Sequence, residues 1–308
     1  MSTGLKADWL FTLQYLRCLS ASFLCLFFTT SVYSEEVASY DIDFIFFDST
    51  RAEAFNRKES VEIDFVVKEH AQNMLNKKIV FQVLPSERVW LSLRSPRPTC
   101  TPAKIKTKER IDEFLFSLPT GITASSRIFS NNANESIADV LNEQGEIKSL
   151  VDLANHVDDF LLFHTRNRSY GNFMDQQIKS LAPAFRQELA STTGFAAEVR
   201  LFLASRSSYL VATPILLHRA YPDVLRESFH YKIAGSPSYS LGHIMCNDTV
   251  QTRAFIEEFN TALKIMHANG VYTQIQIDAY PLTLHKEMNE LLDESGLRTS
   301  LDIADRYN

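Results

Sequence analysis

The chain has 308 residues, of which 45% are hydrophobic and 22% are charged, and its formal net charge is −6 at pH 7. This composition is typical of a folded globular protein, and the acidic balance argues against general nucleic-acid binding, which needs a basic surface to displace counterions from phosphates. The chain has only nine glycines and no glycine-rich phosphate loop, which argues equally against a Walker-type or dinucleotide-type nucleotide site.

Residues 1–34 are predicted to be a secretory signal peptide. Positive charge precedes the apolar stretch LSASFLCLFF at residues 19–28, which is too short to span a bilayer comfortably. Val32 and Ser34 are small side chains at the −3 and −1 positions of a cleavage site, so we expect cleavage after Ser34. An uncleaved anchor helix is the alternative. We therefore predict an exported, periplasmic protein.

Cys100 and Cys246 are the two cysteines that remain after this cleavage. In an oxidising compartment an even pair favours a disulfide, and two buried free thiols are the alternative. The sequence contains no CxxC pair and no Cys/His spacing typical of a zinc site. We expect neither a metal nor a cofactor.

The first part of the mature chain alternates predicted strands and helices. Residues 40–49 and 78–84 are predicted strands, and residues 59–75 carry apolar side chains at helical spacing. A short helix is predicted at residues 86–93, and the proline-rich residues 94–102 are predicted to be a turn. The order strand, helix, strand, helix indicates a layered α/β unit with a parallel sheet.

A polar segment at residues 130–136, SNNANES, is suited to a boundary between two such units. Beyond it, helices and short strands are again predicted to alternate. The predicted helices are residues 149–157, 169–178 and 193–206, and the predicted strands are residues 159–165, 208–214 and 241–246. An amphipathic helix with Phe255, Phe259 and Leu263 on one face follows, and residues 280–295 are predicted to form a terminal helix packed on the outside.

Residues 104–119, KIKTKERIDEFLFSLP, place four cations directly before an apolar, strand-like run. Thr107 is placed to cap a short helix, and the planar guanidinium of Arg110 can make two parallel hydrogen bonds to a carboxylate. A solvated basic face is the alternative for the lysines. For Arg110 the alternative is a surface ion pair with Glu109 or Asp112.

This stretch and the order of elements given above together resemble the periplasmic solute-binding proteins of the amino-acid type, family 3. KTKERIDEFLFSLP at residues 106–119 is similar to the family's pattern of Thr, Glu-Arg, a short helix, Phe-Ser and Pro. Residues 247–280 are similar to its last helix, and residues 169–178 lie where its second lobe begins a ligand-facing helix. The resemblance spans residues 40–280. It implies a type II, two-lobed α/β fold in which each lobe is a mixed sheet flanked by helices.

The resemblance also implies a division of the chain into lobes with a ligand cleft between them. Lobe I is expected to contain residues 36–128 and 236–285, lobe II residues 129–235, and residues 286–308 a C-terminal helical extension. Both mature cysteines would then belong to lobe I.

The ligand-binding residues follow from the same resemblance. The family's carboxylate-binding arginine matches Arg110. Family members that bind α-amino acids carry an Asp near the position of Thr213 to pair the ammonium, and its absence here argues against a free α-amino acid. For Ser169 and Tyr170 the alternative is simple helix capping. For Asp48 and Arg51, which follow the first strand, the alternative is an exposed turn. The predicted ligand-binding residues are Arg110, Thr107, Lys106, Asp48, Arg51, Ser169, Tyr170, Tyr209 and Thr213.

By resemblance, the protein is a monomer that captures a small polar, carboxylate-bearing solute and delivers it to an inner-membrane ABC permease. A ligand-sensing module for a membrane sensor is one alternative, and an enzyme on the same scaffold is another. The sequence contains neither an HExxH motif nor a GxSxG nucleophile elbow, so we predict no catalytic residues.

Overall fold

The computed structural model describes residues 42–46, 79–131, 135–189, 195–205 and 208–298. Four predictions lie outside these residues: the signal peptide, the helix at residues 59–75, and the ligand contacts Asp48 and Arg51. Among the described residues, no helix combines the length and the apolar character needed to cross a bilayer.

The described residues contain eleven strands and ten α-helices. The strands are β1 Ile42–Phe46, β2 Ile79–Val83, β3 Thr99–Lys104, β4 Leu115–Phe116, β5 Gly121–Ala124, β6 Arg127–Ser130, β7 Leu161–Thr165, β8 Arg186–Leu189, β9 Ser208–Ala212, β10 Phe229–Tyr231 and β11 Tyr239–Cys246. The helices are α1 Ser86–Leu93, α2 Lys108–Ile111, α3 Leu150–His156, α4 Asn172–Ser180, α5 Phe195–Ala204, α6 Pro214–Ala220, α7 Pro222–Glu227, α8 Val250–Ala268, α9 Val271–Asp278 and α10 His285–Ser295.

The first sheet has the strand order β2-β1-β3-β11-β4, and β5 also pairs with β11. Strand β1 runs parallel to β2 and to β3, whereas β11 runs antiparallel to β3, β4 and β5. All five residues of β1 are buried, as expected for a central parallel strand that is covered on both faces. Its one charged residue, Asp43, accepts a hydrogen bond from Gln82 Nε2 at 2.9 Å and pairs with Arg97.

A disulfide joins two strands of this sheet. Cys246 on β11 lies directly opposite Cys100 on β3, with a Cα–Cα distance of 4.0 Å, and the two sulfurs are bonded. Both residues are buried. The bond closes a loop with a sequence separation of 146 residues, and the whole second sheet lies within that loop.

The second sheet has the strand order β10-β6-β9-β7-β8. Strands β8 and β9 run parallel to β7, and β6 runs antiparallel to both β9 and β10. The chain therefore passes from one sheet to the other between Ala124 and Arg127 and returns between Tyr231 and Tyr239. The two passages lie side by side, since Ser125 N donates to Ser238 O at 3.1 Å. The exact lobe boundaries expected at residues 128/129 and 235/236 stay a prediction.

Each sheet has a hydrophobic core of its own. In the first, the apolar face predicted for α8 is confirmed: Phe255, Phe259 and Leu263 are buried, and the ring of Phe255 meets that of Phe44 at 5.7 Å. The terminal helix α10 buries Met288, together with two leucines, in this same core, so it is part of the packing around the first sheet. The second sheet has clusters on both of its faces.

Several elements differ from the sequence predictions. The predicted turn at residues 94–102 contains the start of β3, and the strand predicted at residues 208–214 ends at Ala212, because Pro214 takes the first position of α6. The sequence patterns predicted neither the short strands β5, β6, β8 and β10 nor the helices α6, α7 and α9.

Candidate functional site

The candidate site begins at the end of β3, where a short segment leads into α2. Thr107 is buried with an extended backbone, and its carbonyl accepts from Arg110 N at 3.1 Å and from Ile111 N at 3.0 Å. The prediction that its side chain caps α2 is wrong. Instead, the Thr107 hydroxyl donates a hydrogen bond to the Glu109 carboxylate. The Glu109 main-chain amide and this hydroxyl lower the pKa of Glu109.

Arg110 is half-buried, and both of its terminal nitrogens are used. Nη1 donates to Ile105 O at 3.1 Å, and Nη2 donates to Asn167 O at 3.1 Å. The guanidinium carbon lies 5.3 Å from the centroid of the Trp90 ring, a cation–π arrangement. Burial lowers the pKa of Arg110, while the carboxylates of Asp175 and Glu109 act in the opposite direction. The site thus holds a guanidinium that is partly withdrawn from water.

Asn167 connects the two sheets through this guanidinium. It lies just after β7 of the second sheet, with a left-handed backbone (φ 60°) that asparagine tolerates better than most residues. Its carbonyl meets Arg110, which follows β3 of the first sheet. Its side-chain Nδ2 donates to Glu87 Oε1 of α1 at 3.3 Å. A loop of the second sheet therefore contacts two helices of the first.

Ser169 and Tyr170 precede α4, which begins at Asn172 and not at residue 169 as predicted, and no side chain caps its start. Asp175 in the first turn accepts from Ser169 Oγ at 2.5 Å and from Tyr170 N at 2.8 Å, and Gly171 N donates to Ser169 Oγ at 3.2 Å. Gly171 has φ 99°, a conformation that favours glycine. The Asp175 carboxylate thus occupies the Ser169 hydroxyl and the Tyr170 amide, two donors that could otherwise meet an anion, so the ligand role of these two residues stays a prediction.

Lys104 and Lys106, which precede Arg110 in the sequence, are less exposed than lysines of a solvated face would be. Lys104 is only 8% exposed and lies opposite His243 of β11, and Lys106 is half-buried. Burial lowers the pKa of Lys106. Burial also lowers the pKa of His243 to about 4, with a smaller contribution from the charge of Lys106, so this imidazole is neutral at physiological pH. Lys108 is exposed, as a solvated residue would be.

Of the last two predicted residues, Tyr209 is a core residue and Thr213 is partly accessible. Tyr209 lies in the core of the second sheet, where its ring stacks on Phe160 at 4.8 Å, and burial raises its pKa. Thr213 is half-buried and precedes α6, where its carbonyl accepts from Leu216 N at 3.1 Å. We therefore leave Tyr209 out of the candidate site and keep Thr213.

Residues that sequence reasoning missed complete the site. Asn167 and Glu87 link the sheets. Burial lowers the pKa of the Arg110 guanidinium, and the negative charge of Asp175 acts in the opposite direction. Arg168 and Glu198 lie behind Tyr170. Among the described residues, no group of three or more His, Cys, Asp and Glu side chains could hold a metal ion.

Glu198 carried a sequence signal that could have been used. In FAAEVRLFLA it lies three residues after Phe195 and four before Phe202, so a carboxylate falls on the apolar face of a helix.

No protein-family model matches the chain, and no curated protein matches it. Solved structures share its fold. An ancestral arginine-binding protein bound to glutamine is 17% identical, with a TM-score of 0.52 over 69% of this chain and 84% of its own. A structure for glutathione import via GshT and the cystine ABC importer of Streptococcus mutans is 12% identical, with a TM-score of 0.55 over 77% and 93%.

A histidine kinase sensor domain with similarity to periplasmic binding proteins is 13% identical, with a TM-score of 0.52 over 69% of this chain and 83% of its own. At these identities the likeness shows the fold. The chain has the two-lobed α/β fold of periplasmic binding proteins, with a mixed sheet in each lobe, and solute-binding proteins of amino-acid ABC transporters share it.

Proposed function

We propose that this protein is exported to the periplasm and binds a small polar, carboxylate-bearing solute between its two lobes, as a monomer and without catalysis. The observation that carries the proposal is the position of Arg110. Its half-buried guanidinium belongs to the first lobe and donates a hydrogen bond to a loop of the second. Its two acceptors are neutral main-chain carbonyls. A carboxylate is a stronger acceptor for the same fork, and such a charge-assisted bond contributes about 1.5–3 kcal/mol.

In this proposal the solute replaces Ile105 O and Asn167 O as the partner of Arg110. Lys106 and Thr107 flank it from the first lobe, and Ser169, Tyr170 and Thr213 belong to the second-lobe side. Contacts to both lobes favour the closed state, which is how solute binding becomes hinge closure. Asp48 and Arg51, outside the described residues, keep the role that the resemblance implies.

The expected solute class is an organic acid or a small peptide. By the resemblance, Thr213 matches the position of the Asp that pairs an α-ammonium, and Lys104 and Lys106 add positive charge to the segment that leads to Arg110. A solute with more than one carboxylate therefore suits the site better than a free α-amino acid. Two similar structures concern glutamine and glutathione, both of which carry carboxylates.

We propose delivery to an inner-membrane ABC permease as the use of this binding, which the similarity to the glutathione-import structure supports. Reporting to a membrane sensor is the second candidate, supported by the similarity to a histidine kinase sensor domain. The two are separated by which membrane protein the solute-loaded form binds.

The test begins with a thermal-shift screen of organic acids, small peptides, amino acids and sugars. A solute at 100 times its dissociation constant should raise the free energy of unfolding by about 2.7 kcal/mol. Trp90 provides a second readout, because Arg110 lies over its ring and Trp9 is the other tryptophan. In a Trp9→Phe protein, Trp90 is the one tryptophan whether or not residues 1–34 are cleaved, and a carboxylate that draws Arg110 away from its ring should change the Trp90 emission.

Arg110→Ala should then weaken binding of the active solute at least tenfold, since about 1.5–3 kcal/mol of charge-assisted bonding is lost. Arg94→Ala is the matched control. Arg94 also lies over Trp90, at 5.9 Å, but it is exposed and pairs with Glu113. Affinity measured by calorimetry should survive the control. If Arg110→Ala binds as tightly as the parent, or if only uncharged sugars stabilise the protein, the proposed function is wrong.

A further inference from the structure

Glu198 is a carboxylate held inside the second lobe. Its side chain is 0% exposed, and it shares a face of α5 with Phe195, Val199 and Phe202, all of which are buried. Its Oε2 has no hydrogen-bond partner among the described residues. A carboxylate so completely removed from water is stable as an anion only with a close positive or hydrogen-bonding partner.

Both partners of Glu198 Oε1 come from the loop that precedes α4. The hydroxyl of Tyr170 donates to it at 3.4 Å, and Nη1 of Arg168 lies 3.9 Å away. The Arg168 guanidinium lies over the rings of Tyr170, at 5.1 Å, and Phe195, at 5.2 Å. The same hydroxyl accepts from Thr165 N at 3.0 Å. One carboxylate oxygen thus joins the loop to α5 and to the end of β7.

Among the described elements packed on α5, few other groups carry charge. Strand β9, SYLVA, has no charged residue, and its Tyr209 belongs to the cluster on the other face of the sheet. The charged neighbours of His164 on β7 are Glu188, Arg186 and Asp175, and Glu198 is not among them. Helices α6 and α7 also pack on α5, where the Tyr221 ring meets that of Phe195 at 6.1 Å. Among the described residues, the titratable groups that act on the Glu198 carboxylate are Arg168 and Tyr170.

Burial raises the pKa of Glu198 to about 7, and Arg168 and Tyr170 act in the opposite direction. Its two protonation states have different consequences for the loop. The anion attracts Arg168 and accepts from Tyr170, whereas the neutral acid loses the attraction to the guanidinium.

The loop that Glu198 holds is the loop that meets Arg110. Asn167, whose carbonyl accepts from Arg110 Nη2, immediately precedes Arg168. We propose that Glu198 is a proton-binding positioning residue: its anion anchors Arg168 and Tyr170 and so fixes the loop at residues 167–171 against Arg110, and proton uptake releases that loop. This inference rests on the proposed role of Arg110 in solute binding and adds a link between proton concentration and that site.

The direct test follows Trp90 emission in the Trp9→Phe protein from about pH 5.5 to 8.5, without solute. Because Arg110 touches both the Trp90 ring and Asn167, release of the loop should change the emission, with a midpoint near the pKa of Glu198. Glu198→Gln keeps the shape but stays neutral, so it should show the low-pH emission throughout. Glu227→Gln, an exposed carboxylate on α7, is the matched control and should titrate like the parent.

A second arm measures binding of succinate, as a dicarboxylate probe, at about pH 6 and 8. The parent should bind less tightly at pH 8, by at least about threefold, because the anchored loop keeps Asn167 O on Arg110 and the solute has to displace it. Glu198→Gln should bind equally at both values. Arg168→Gln is a second variant that leaves Glu198 in place; it should also flatten the dependence, since the anion then has no guanidinium to attract.

The outcomes separate the two proposals. If the parent and Glu198→Gln titrate alike in Trp90 emission, the inference is overturned whether or not succinate binds. If the emission titrates through Glu198 but no screened solute binds, the proton link stands and the proposed function fails. Binding of succinate with the same affinity at both pH values in the parent would overturn the inference alone.

Discussion

Three buried titratable side chains make the stability of this protein depend on pH in opposite directions. Burial lowers the pKa of His243 and of His267 to about 4, and it raises that of Glu198 to about 7. The unfolded chain binds protons at the histidines as pH falls below 6.5, whereas the folded chain does not, so the histidines reduce stability on the acid side. Glu198 reduces it as pH rises from about 4.5 to above 7.

The acid-side effect gives the prediction at this scale. Between pH 7.5 and 5 each histidine should remove about 2 kcal/mol from the free energy of unfolding. His243→Gln and His267→Gln together should therefore flatten the fall measured by urea unfolding at pH 7.5 and 5. The amides can still donate to the carbonyls of Ser117 and Leu297, which the rings meet at 2.8 and 3.2 Å.

His156→Gln is the control for this experiment, because that ring lies on the exposed face of α3 and should leave the fall unchanged. An equal loss of stability in the double variant and the parent between the two pH values would contradict the burial argument.

At the scale of elements, the disulfide between β3 and β11 tests how the first lobe is held together. The bond closes a loop with a separation of 146 residues, for which the chain-entropy model gives a stabilisation of about 5 kcal/mol. Replacing Cys100 and Cys246 by alanine should lower the free energy of unfolding by up to this amount, while residual structure in the unfolded chain reduces the effect. Chemical denaturation of oxidised, reduced and double-variant protein measures it. Reduced parent and double variant should agree; a difference under about 0.5 kcal/mol between oxidised and reduced protein would contradict a stabilising bond.

Long periodic elements were predictable from sequence and short ones were not. Helix α8 was predicted because Phe255, Phe259 and Leu263 repeat at helical spacing, and the capping box of Thr249 and Thr252 fixes its start. Strand β5 has four residues, too few for an alternating pattern to be distinguished from a loop. Short strands such as β5, β6 and β10 depend on pairing with distant strands, which local pattern does not encode.

Within the candidate site, too, some residues were predictable from local sequence and others were not. Arg110 stood out because a conspicuous local motif surrounds it. Asn167 and Glu198 act through partners far along the chain: Asn167 meets Arg110 57 residues away, and Glu198 meets Tyr170 28 residues away. Such pairs appear only when the sheets are assembled.

At the scale of the whole molecule, the chain joins its two lobes by two adjacent passages and by a few side-chain contacts. Ser125 and Ser238 bond the passages together, which is the arrangement expected of a hinge. Away from the passages in sequence, Asn167 meets Arg110 and Glu87. At the end of the first passage, Arg127 Nη2 donates to Glu287 Oε1 of α10 at 3.1 Å. The lobes are therefore held together in this structure by the protein's own polar groups.

Weakening one of these contacts should shift the empty protein toward an open state. Glu87→Ala removes the acceptor of the Asn167 side chain, an exposed bond of about 0.5–1.5 kcal/mol, so the closed-to-open ratio should fall about two- to tenfold. Small-angle X-ray scattering should report a larger radius of gyration for the empty variant, and a solute that binds the parent should restore the parent value. Glu227→Ala, which removes only an exposed pair with Arg226 on α7, should scatter like the parent. If Glu87→Ala leaves the radius of gyration unchanged, this contact does not help to hold the lobes together.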